Sequence, residues 1–239
     1  MTKNIFTYWE GAKPDYIKYC LNSIAEKSGA DVFILDEKDI AQYLDKEELH
    51  ENFFKIKHIA QRADYLRVAL LEKHGGLWVD ADTVFVKSAD DFFKKVDGVD
   101  FAYIKWIDNL VINGYFYAEK NSEVLTQWKH DMDYILDKYE EKANYDWCFL
   151  GETILTPIIK SYLYPCEEVS RSTFVPVHFR HDYEVFFRDG NIKDYIKEDT
   201  VCVALNHSHF CGHHGNDFVC KNINEIKQRK DLVGQIFNL

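Results

Sequence analysis

The sequence predicts an α/β fold in a single domain over residues 1–239, with a mostly parallel central sheet flanked by helices. Three observations carry that expectation. The chain opens on a strand, helix, strand unit; its middle holds a long helix that ends on paired glycines and runs into an apolar strand; and nothing along it marks a linker or an internal repeat. A strand followed by a helix and a second strand favours parallel pairing, with ligands at the carboxyl edge of the sheet. At 239 residues the chain has ample length for a core, and 46% hydrophobic with 29% charged residues is ordinary globular composition.

The first strand is Ile5-Phe6-Thr7-Tyr8-Trp9, a β-branched and aromatic run stopped by Glu10-Gly11. Pro14 opens a helix to about Glu26, with Ile17, Cys20, Leu21 and Ile24 on one face, and Asp31 to Leu35 is the second strand. Trp9 then stands at a carboxyl edge, as either a core aromatic or the wall of a pocket. Residues 36 to 55 are polar and acidic. A clearer helix follows from Ile56 to His74, with Ile56, Ile59, Ala60, Ala63, Leu66, Ala69 and Leu70 as its apolar stripe. Asp64 and Arg67 are three apart on it, and the pattern leaves open an exposed ion pair or a pair facing a pocket.

Gly75-Gly76 ends the helix, and Leu77-Trp78-Val79 reads as an interior strand. Asp80 and Asp82 follow in chain expected to stay extended, where side chains two apart point the same way. Two converging carboxylates are costly unless a cation or strong donors lie between them, and a divalent ion that also holds phosphate oxygens suits them.

Phe101 to Ile104 is another strand, and Val111 to Ala118 has strand chemistry interrupted by Asn113-Gly114, either a tight turn or a close approach of backbone to a ligand. A helix from Ser122 to about Tyr139 precedes Gly151-Glu152 and a second apolar helix over Ile154 to Ile159. Glu152 is either an early-helix carboxylate near the amide dipoles or an acceptor contact. His178, Arg180, His181 and Arg188 form a modestly basic island. Val201 to Leu205 is a buried strand followed at once by a histidine-rich run, in which His207 and His209 alternate and one is expected to reach the ion held by Asp82. Cys202, Cys211 and Cys220 lack the close pairing of common zinc modules. A last helix is expected over Asn224 to Ile236.

A net charge of −11 argues against nucleic acid or anionic lipid as general partners. No run of 18 apolar residues spans a membrane, no signal-like segment opens the chain, and six dispersed cysteines read as reduced. The expected location is cytoplasmic, with peripheral association at the inner membrane face compatible with a lipid-linked substrate.

The combination IFTYWEG, QRADYLRVALLEKHGGLWVDADTVF and a later HSH resembles the retaining glycosyltransferases of the capsular-polysaccharide-synthesis and Och1-like group, which is related to the glucosylating toxins. The resemblance covers most of the chain. It implies a GT-A fold, a nucleotide-diphosphate sugar donor (UDP-linked as the expected nucleotide), Mn²⁺ or Mg²⁺, and a glycan or lipid-linked glycan acceptor. By that resemblance Asp80 contacts ribose and donor sugar, or the ion through water, and Asp82 is the direct metal ligand, with His207 or His209 the later metal or diphosphate contact. Asp64 meets donor-sugar hydroxyls, Arg67 the diphosphate or sugar, and Trp9 the base; Asn113 and Glu152 fall on the acceptor side. Gly151-Glu152 stands where many relatives have Gly-Pro. The competing classes are a metal-dependent phosphohydrolase and a non-catalytic glycan-binding protein.

Overall fold

The computed structural model describes residues 3–140, 145–161, 163–180, 182–213 and 220–239, with the side chains of 209, 212 and 213 outside the description. The chain forms two compact units. One comprises the residues up to Glu10, Phe33–Val79 and Val96–Val169; the other comprises Gly11–Val32, Asp80–Lys95 and Ser170–Leu239.

The first unit is built on a six-stranded sheet. Its strands are β1 (Asn4–Tyr8), β2 (Asp31–Leu35), β3 (Gly76–Val79), β5 (Phe101–Lys105), β6 (Val111–Ala118) and β7 (Cys166–Glu168), in the order β2-β1-β3-β6-β5-β7. β1 pairs with β3, and β5 with β7, in parallel, whereas β6 is antiparallel to both its neighbours. β1, β3, β5 and β7 therefore run one way and β6 the other, which is the mostly parallel arrangement expected. Four helices belong to this unit: the short α2 (Ile40–Tyr43), then α3 (Ile59–His74), α5 (Glu123–Leu136) and α6 (Glu152–Lys160). The core between them holds Phe6, Tyr65, Leu70, Trp78, Phe116, Trp128 and Leu155.

Helix α3 departs from its expected form in two ways. It begins at Ile59 rather than Ile56, because Phe53–Lys55 makes a short 3-10 turn and His58 is still extended. It also has no simple apolar stripe. Every residue from Asp64 to Leu71 is buried, while Ile59 is exposed. The reason is tertiary: α3 touches β1, β3 and β6 as well as α5, so partners cover most of its circumference. Its end is local. Gly75 caps it with φ 67°, donating its N–H to Leu71 O at 2.8 Å. At Gly76 a Cβ would lie 2.6 Å from the Asn4 carbonyl oxygen, so β1 and β3 pair this closely only with glycine there.

Asn113-Gly114 makes no hairpin turn and lies inside β6. The β5–β6 register is Tyr103↔Phe116 but Lys105↔Val111, so β6 carries extra residues across this stretch. That is a bulge, which re-aims side chains where a regular ladder would not.

In the second unit, α1 (Asp15–Lys27) packs on β4 (Thr83–Phe85), which pairs antiparallel with β8 (Cys202–Ala204). Ser23 fastens α1 to β4: its hydroxyl accepts from Phe85 N at 2.9 Å and donates to Cys20 O at 2.7 Å. Short helices α4 (Asp90–Lys95), α7 (His207–His213), α8 (Ile223–Lys227) and α9 (Leu232–Ile236) complete the unit. The expected final helix is thus two pieces, because Asp231 caps a fresh start by accepting from Gly234 N. Asp80 to Asp82 is not continuous strand, either. β3 ends at Val79, residues 81 and 82 form a bend, and β4 belongs to a separate two-stranded sheet. The premise that alternation aligns Asp80 with Asp82 therefore does not hold.

Candidate functional site

In the first unit the candidate residues gather around α3. Asp64 and Arg67 are each 5% exposed, so they are not a surface pair. The Arg67 guanidinium is held from several sides: Nη1 donates to Asn113 O at 2.6 Å, Nη2 lies 3.2 Å from Asp64 Oδ1, and Nε donates to Ala63 O at 3.2 Å. Its carbon stands 5.1 Å from the centre of the Trp78 ring, a cation–π contact strengthened by burial. Asn113 closes the loop, its Nδ2 donating to Asp64 Oδ1 at 2.8 Å. The bulge in β6 explains how one residue offers both its carbonyl and its amide to the pair. An ion pair this deep is stabilising only when its remaining valences are satisfied, and Asn113 supplies that satisfaction from both sides.

Gly151, the residue before α6, completes the cluster by what it lacks. A Cβ there would lie 2.2 Å from Asn113 Nδ2 and 2.9 Å from Asp64 Oδ2. Glu152 follows as the first residue of α6, half-buried. Nearer the start of α3, Gln61 donates from Nε2 to Asp146 O at 3.2 Å while its Oε1 is buried with no hydrogen-bond partner. Arg62 pairs with Glu10 and donates to Ile56 O at 3.0 Å. Glu10 also accepts from the Tyr8 hydroxyl at 2.7 Å, and burial together with the Glu10 carboxylate pushes the Tyr8 phenol well up. Trp9, half-buried at the carboxyl end of β1, is held by its N–H to Leu35 O at 3.0 Å.

In the second unit the candidates meet at the start of α7. Asp82 Oδ2 accepts from His207 N at 2.8 Å, and its carbonyl accepts from Leu205 N at 3.0 Å. Asp82 is therefore also the acceptor that satisfies the first amide of α7. The His207 ring is engaged at both nitrogens: Nδ1 is hydrogen-bonded to the Tyr16 hydroxyl, and Cys211 Sγ lies 3.3 Å from Nε2. The Tyr16 and His207 rings stack with centroids 5.9 Å apart. Burial, then the Asp82 anion, raises the Tyr16 phenol. Burial lowers His207, which favours the neutral imidazole. The Cys20 thiol is raised well above its ordinary value by burial and then by Asp82. His209 lies on α7 rather than on an extended run, so it and His207 do not alternate in the strand sense; its side chain is outside the description.

Among the described residues no three His, Cys, Asp or Glu side chains are placed to hold a metal. An ion whose other ligands are water and substrate phosphate needs only one or two carboxylates, and Asp80 and Asp82, at the end of β3 and in the bend before β4, are the residues that would supply them. His207 fits only if Tyr16 or Cys211 gives way. Of the basic island, His181 lies outside the description, and Arg188 is bound to Asp182 through 2.6 and 2.8 Å bonds.

The sequence marks Asp64 and Arg67 as a helix pair and Asn113 and Glu152 as further candidates, gives no role to Tyr16, Gln61 or Arg62, and offers Cys211 only within a cysteine pattern that lacks zinc spacing. Cys211 stands four residues after His207, a helical spacing readable once that run is taken as helix. Nothing in the sequence signals Tyr16, which contacts His207 from 191 residues away.

The family described as capsular polysaccharide synthesis protein matches residues 1–207 of this 239-residue chain. The chain belongs to that family. No curated protein matches it. Among solved structures it is similar to the PaToxG glycosyltransferase, at 17% identity over 67% of this chain and 68% of that one, with a TM-score of 0.49. It is also similar to a glycosyltransferase involved in glycosylation of the major capsid of PBCV-1, at 11% identity over 85% of this chain and 93% of that one, TM-score 0.49. The apo-form of the glycosyltransferase GlyE from Streptococcus pneumoniae TIGR4 is 11% identical over 72% of this chain and 46% of that one, TM-score 0.45. The match therefore spans less than half the length of the pneumococcal protein.

Proposed function

We propose that the protein is a metal-dependent, GT-A-like glycosyltransferase of capsular or other surface polysaccharide synthesis. It moves a sugar from a nucleotide-diphosphate donor, UDP-linked, to a hydroxyl of a glycan or lipid-linked glycan acceptor, with retention. The observation that carries this reading is the buried Asp64–Arg67–Asn113 cluster in a member of a capsular polysaccharide synthesis family. A carboxylate and a guanidinium kept together at 5% exposure are preorganised, and preorganised polar groups are worth more to a transition state than mobile ones.

In this reading Asp64 accepts hydrogen bonds from donor-sugar hydroxyls, Arg67 faces the charge on the departing diphosphate, and Trp9 stacks on the base. Asp80 contacts the ribose and sugar. Asp82 is the direct ligand of Mn²⁺ or Mg²⁺, and His207 or His209 is the nitrogen contact. A bound ion neutralises charge on the leaving diphosphate. The acceptor hydroxyl, beside Asn113 and Glu152, bonds to the anomeric carbon on the face the diphosphate leaves, and a leaving phosphate oxygen takes its proton. No described helix is long and apolar enough to cross a membrane; the proposed location is the cytoplasm, at the inner membrane face when the acceptor is lipid-linked.

The test is a thermal-shift screen of nucleotide sugars with and without Mn²⁺, followed by product analysis on glycan acceptors. A Mn²⁺-dependent shift that disappears in Asp82→Asn supports the reading. Metal-independent donor binding in folded Asp82→Asn overturns it, and donor hydrolysis that acceptors never divert points to the phosphohydrolase instead.

A further inference from the structure

The loop preceding α6 has a feature that the roles above leave unused. Trp147 is 57% exposed, whereas Trp78 and Trp128 are fully buried and Trp9 and Trp106 are half-buried. An indole in water is a large apolar surface left uncovered, and on a mobile loop it would mean little. This loop is tied down on both sides of Trp147. The residue before it, Asp146, gives its carbonyl to Gln61 Nε2 of α3 at 3.2 Å. Three residues after it, Leu150 O accepts from the buried Trp128 Nε1 at 2.8 Å. Gly151 then sits against Asp64 and Asn113, so close that no Cβ fits. Within the loop Tyr145 stacks on Phe149, ring centroids 4.5 Å apart and planes within 20°.

Gln61 and Asp64 are one helical turn apart on α3, so the same helix anchors the loop and carries the donor-side carboxylate. The composition of the segment that carries the indole narrows its occupant. From Tyr145 to Thr153 the sequence YDWCFLGET contains two carboxylates, Asp146 and Glu152, and no lysine or arginine. That disfavours a phosphate or nucleotide and favours a neutral polyhydroxyl molecule, whose hydroxyls donate to carboxylates and whose apolar ring face covers an aromatic face. An aromatic with one face apolar and a wet edge is the side chain suited to that contact.

Resting on the transferase reading, we propose that the Tyr145–Gly151 loop is the acceptor side of the Asp64 site and that Trp147 is the platform on which a pyranose ring of the acceptor glycan stacks. The role is one of acceptor binding and specificity. Stacking tolerates several hexoses, and the neighbouring carboxylates select among their hydroxyl patterns.

The experiment follows the five tryptophan indole N–H resonances of the full chain during titration with maltotriose, lactose and chitotriose, with Trp147 assigned by its loss in Trp147→Phe. At least one probe is expected to move the Trp147 resonance saturably. Its Kd should weaken about tenfold in Trp147→Ala and stay within about threefold in Trp147→Phe, since a phenyl ring still stacks. Thermal stability should be unchanged in both, because the side chain is exposed. If none of the three sugars moves the resonance, or Trp147→Ala binds as tightly as the parent, the proposal is wrong. Mn²⁺-dependent nucleotide-sugar binding, measured separately by thermal shift, distinguishes the failures. Donor binding with an indifferent Trp147 sinks this inference alone, whereas sugar binding at Trp147 without donor binding sinks the transferase reading.

Discussion

Gly151→Ala adds one methyl group at the tightest point of the Asp64 cluster. The new Cβ would stand 2.2 Å from Asn113 Nδ2, well inside contact distance, and Asn113 has little freedom to yield. Its side-chain amide donates to Asp64 Oδ1 at 2.8 Å, and its main-chain carbonyl, accepting from Arg67 Nη1 at 2.6 Å, fixes the backbone from which that side chain springs. Withdrawal of the amide breaks a buried hydrogen bond to a carboxylate, and forcing an atom into a filled site costs a similar amount. Together these come to about 2 to 4 kcal/mol. For a chain of this size that is a fall in Tm of about 5 to 15 °C. Differential scanning fluorimetry reads it directly. The control is Asn113→Ala, which removes the group the methyl meets and leaves the 2.9 Å approach to Asp64 Oδ2, relieved by a small rotation of that carboxylate once its Asn113 bond is gone. In that background Gly151→Ala should cost less than about 1 kcal/mol, so the two substitutions are strongly non-additive. An unchanged Tm in Gly151→Ala, or its full cost persisting beside Asn113→Ala, would refute the steric argument.

Other consequences follow from the same contacts. Arg67→Lys retains the charge but loses the fork that reaches Asn113 O and Ala63 O together; donor affinity should fall at least about tenfold with a Tm drop of several degrees, and Lys performing like Arg in a titration would contradict the assignment. Asp82→Asn keeps an oxygen that can accept from His207 N, so calorimetry should find it near parental stability but without Mn²⁺-dependent donor binding, whereas Asp82→Ala should lose about 1 kcal/mol as well. Thiol labelling should mark exposed Cys211 and Cys220 first and leave buried Cys20 and Cys202 unmodified until denaturant is added, since burial raises both buried thiols and withholds the reactive thiolate. Cys166, pushed up to about 11 chiefly by burial, should label faster with each step in alkalinity toward that value, because the thiolate fraction grows as pH approaches the pKa from below; a rate flat between pH 8 and 10 would contradict it.

Local chemistry was enough to read the scaffold. The β-branched and aromatic run of β1, the periodic apolar positions of α1, the glycine pair after α3 and the apolar Leu77-Trp78-Val79 each act within a few residues, and the elements formed where those signals stand. The same holds for the family motifs, which are short and contiguous. What the sequence could not carry was environment. Asp64 and Arg67 have the spacing of any surface pair, and only the packing of α3 against β1, β3, β6 and α5 buries them. Asn113-Gly114 reads equally as turn or close approach, and the register of β6 against β5 made it a bulge. The bend at Asp80 to Asp82 arises because the strand after it pairs with β8, more than a hundred residues on. The sequence by itself determined the cores of the main helices and strands, because hydrophobic period and turn chemistry are local, but not every boundary: the bend after Val79 and the helical histidine run depended on the fold. Only the tertiary structure decided which polar side chains are buried, paired and pinned, because burial depends on partners from distant parts of the chain.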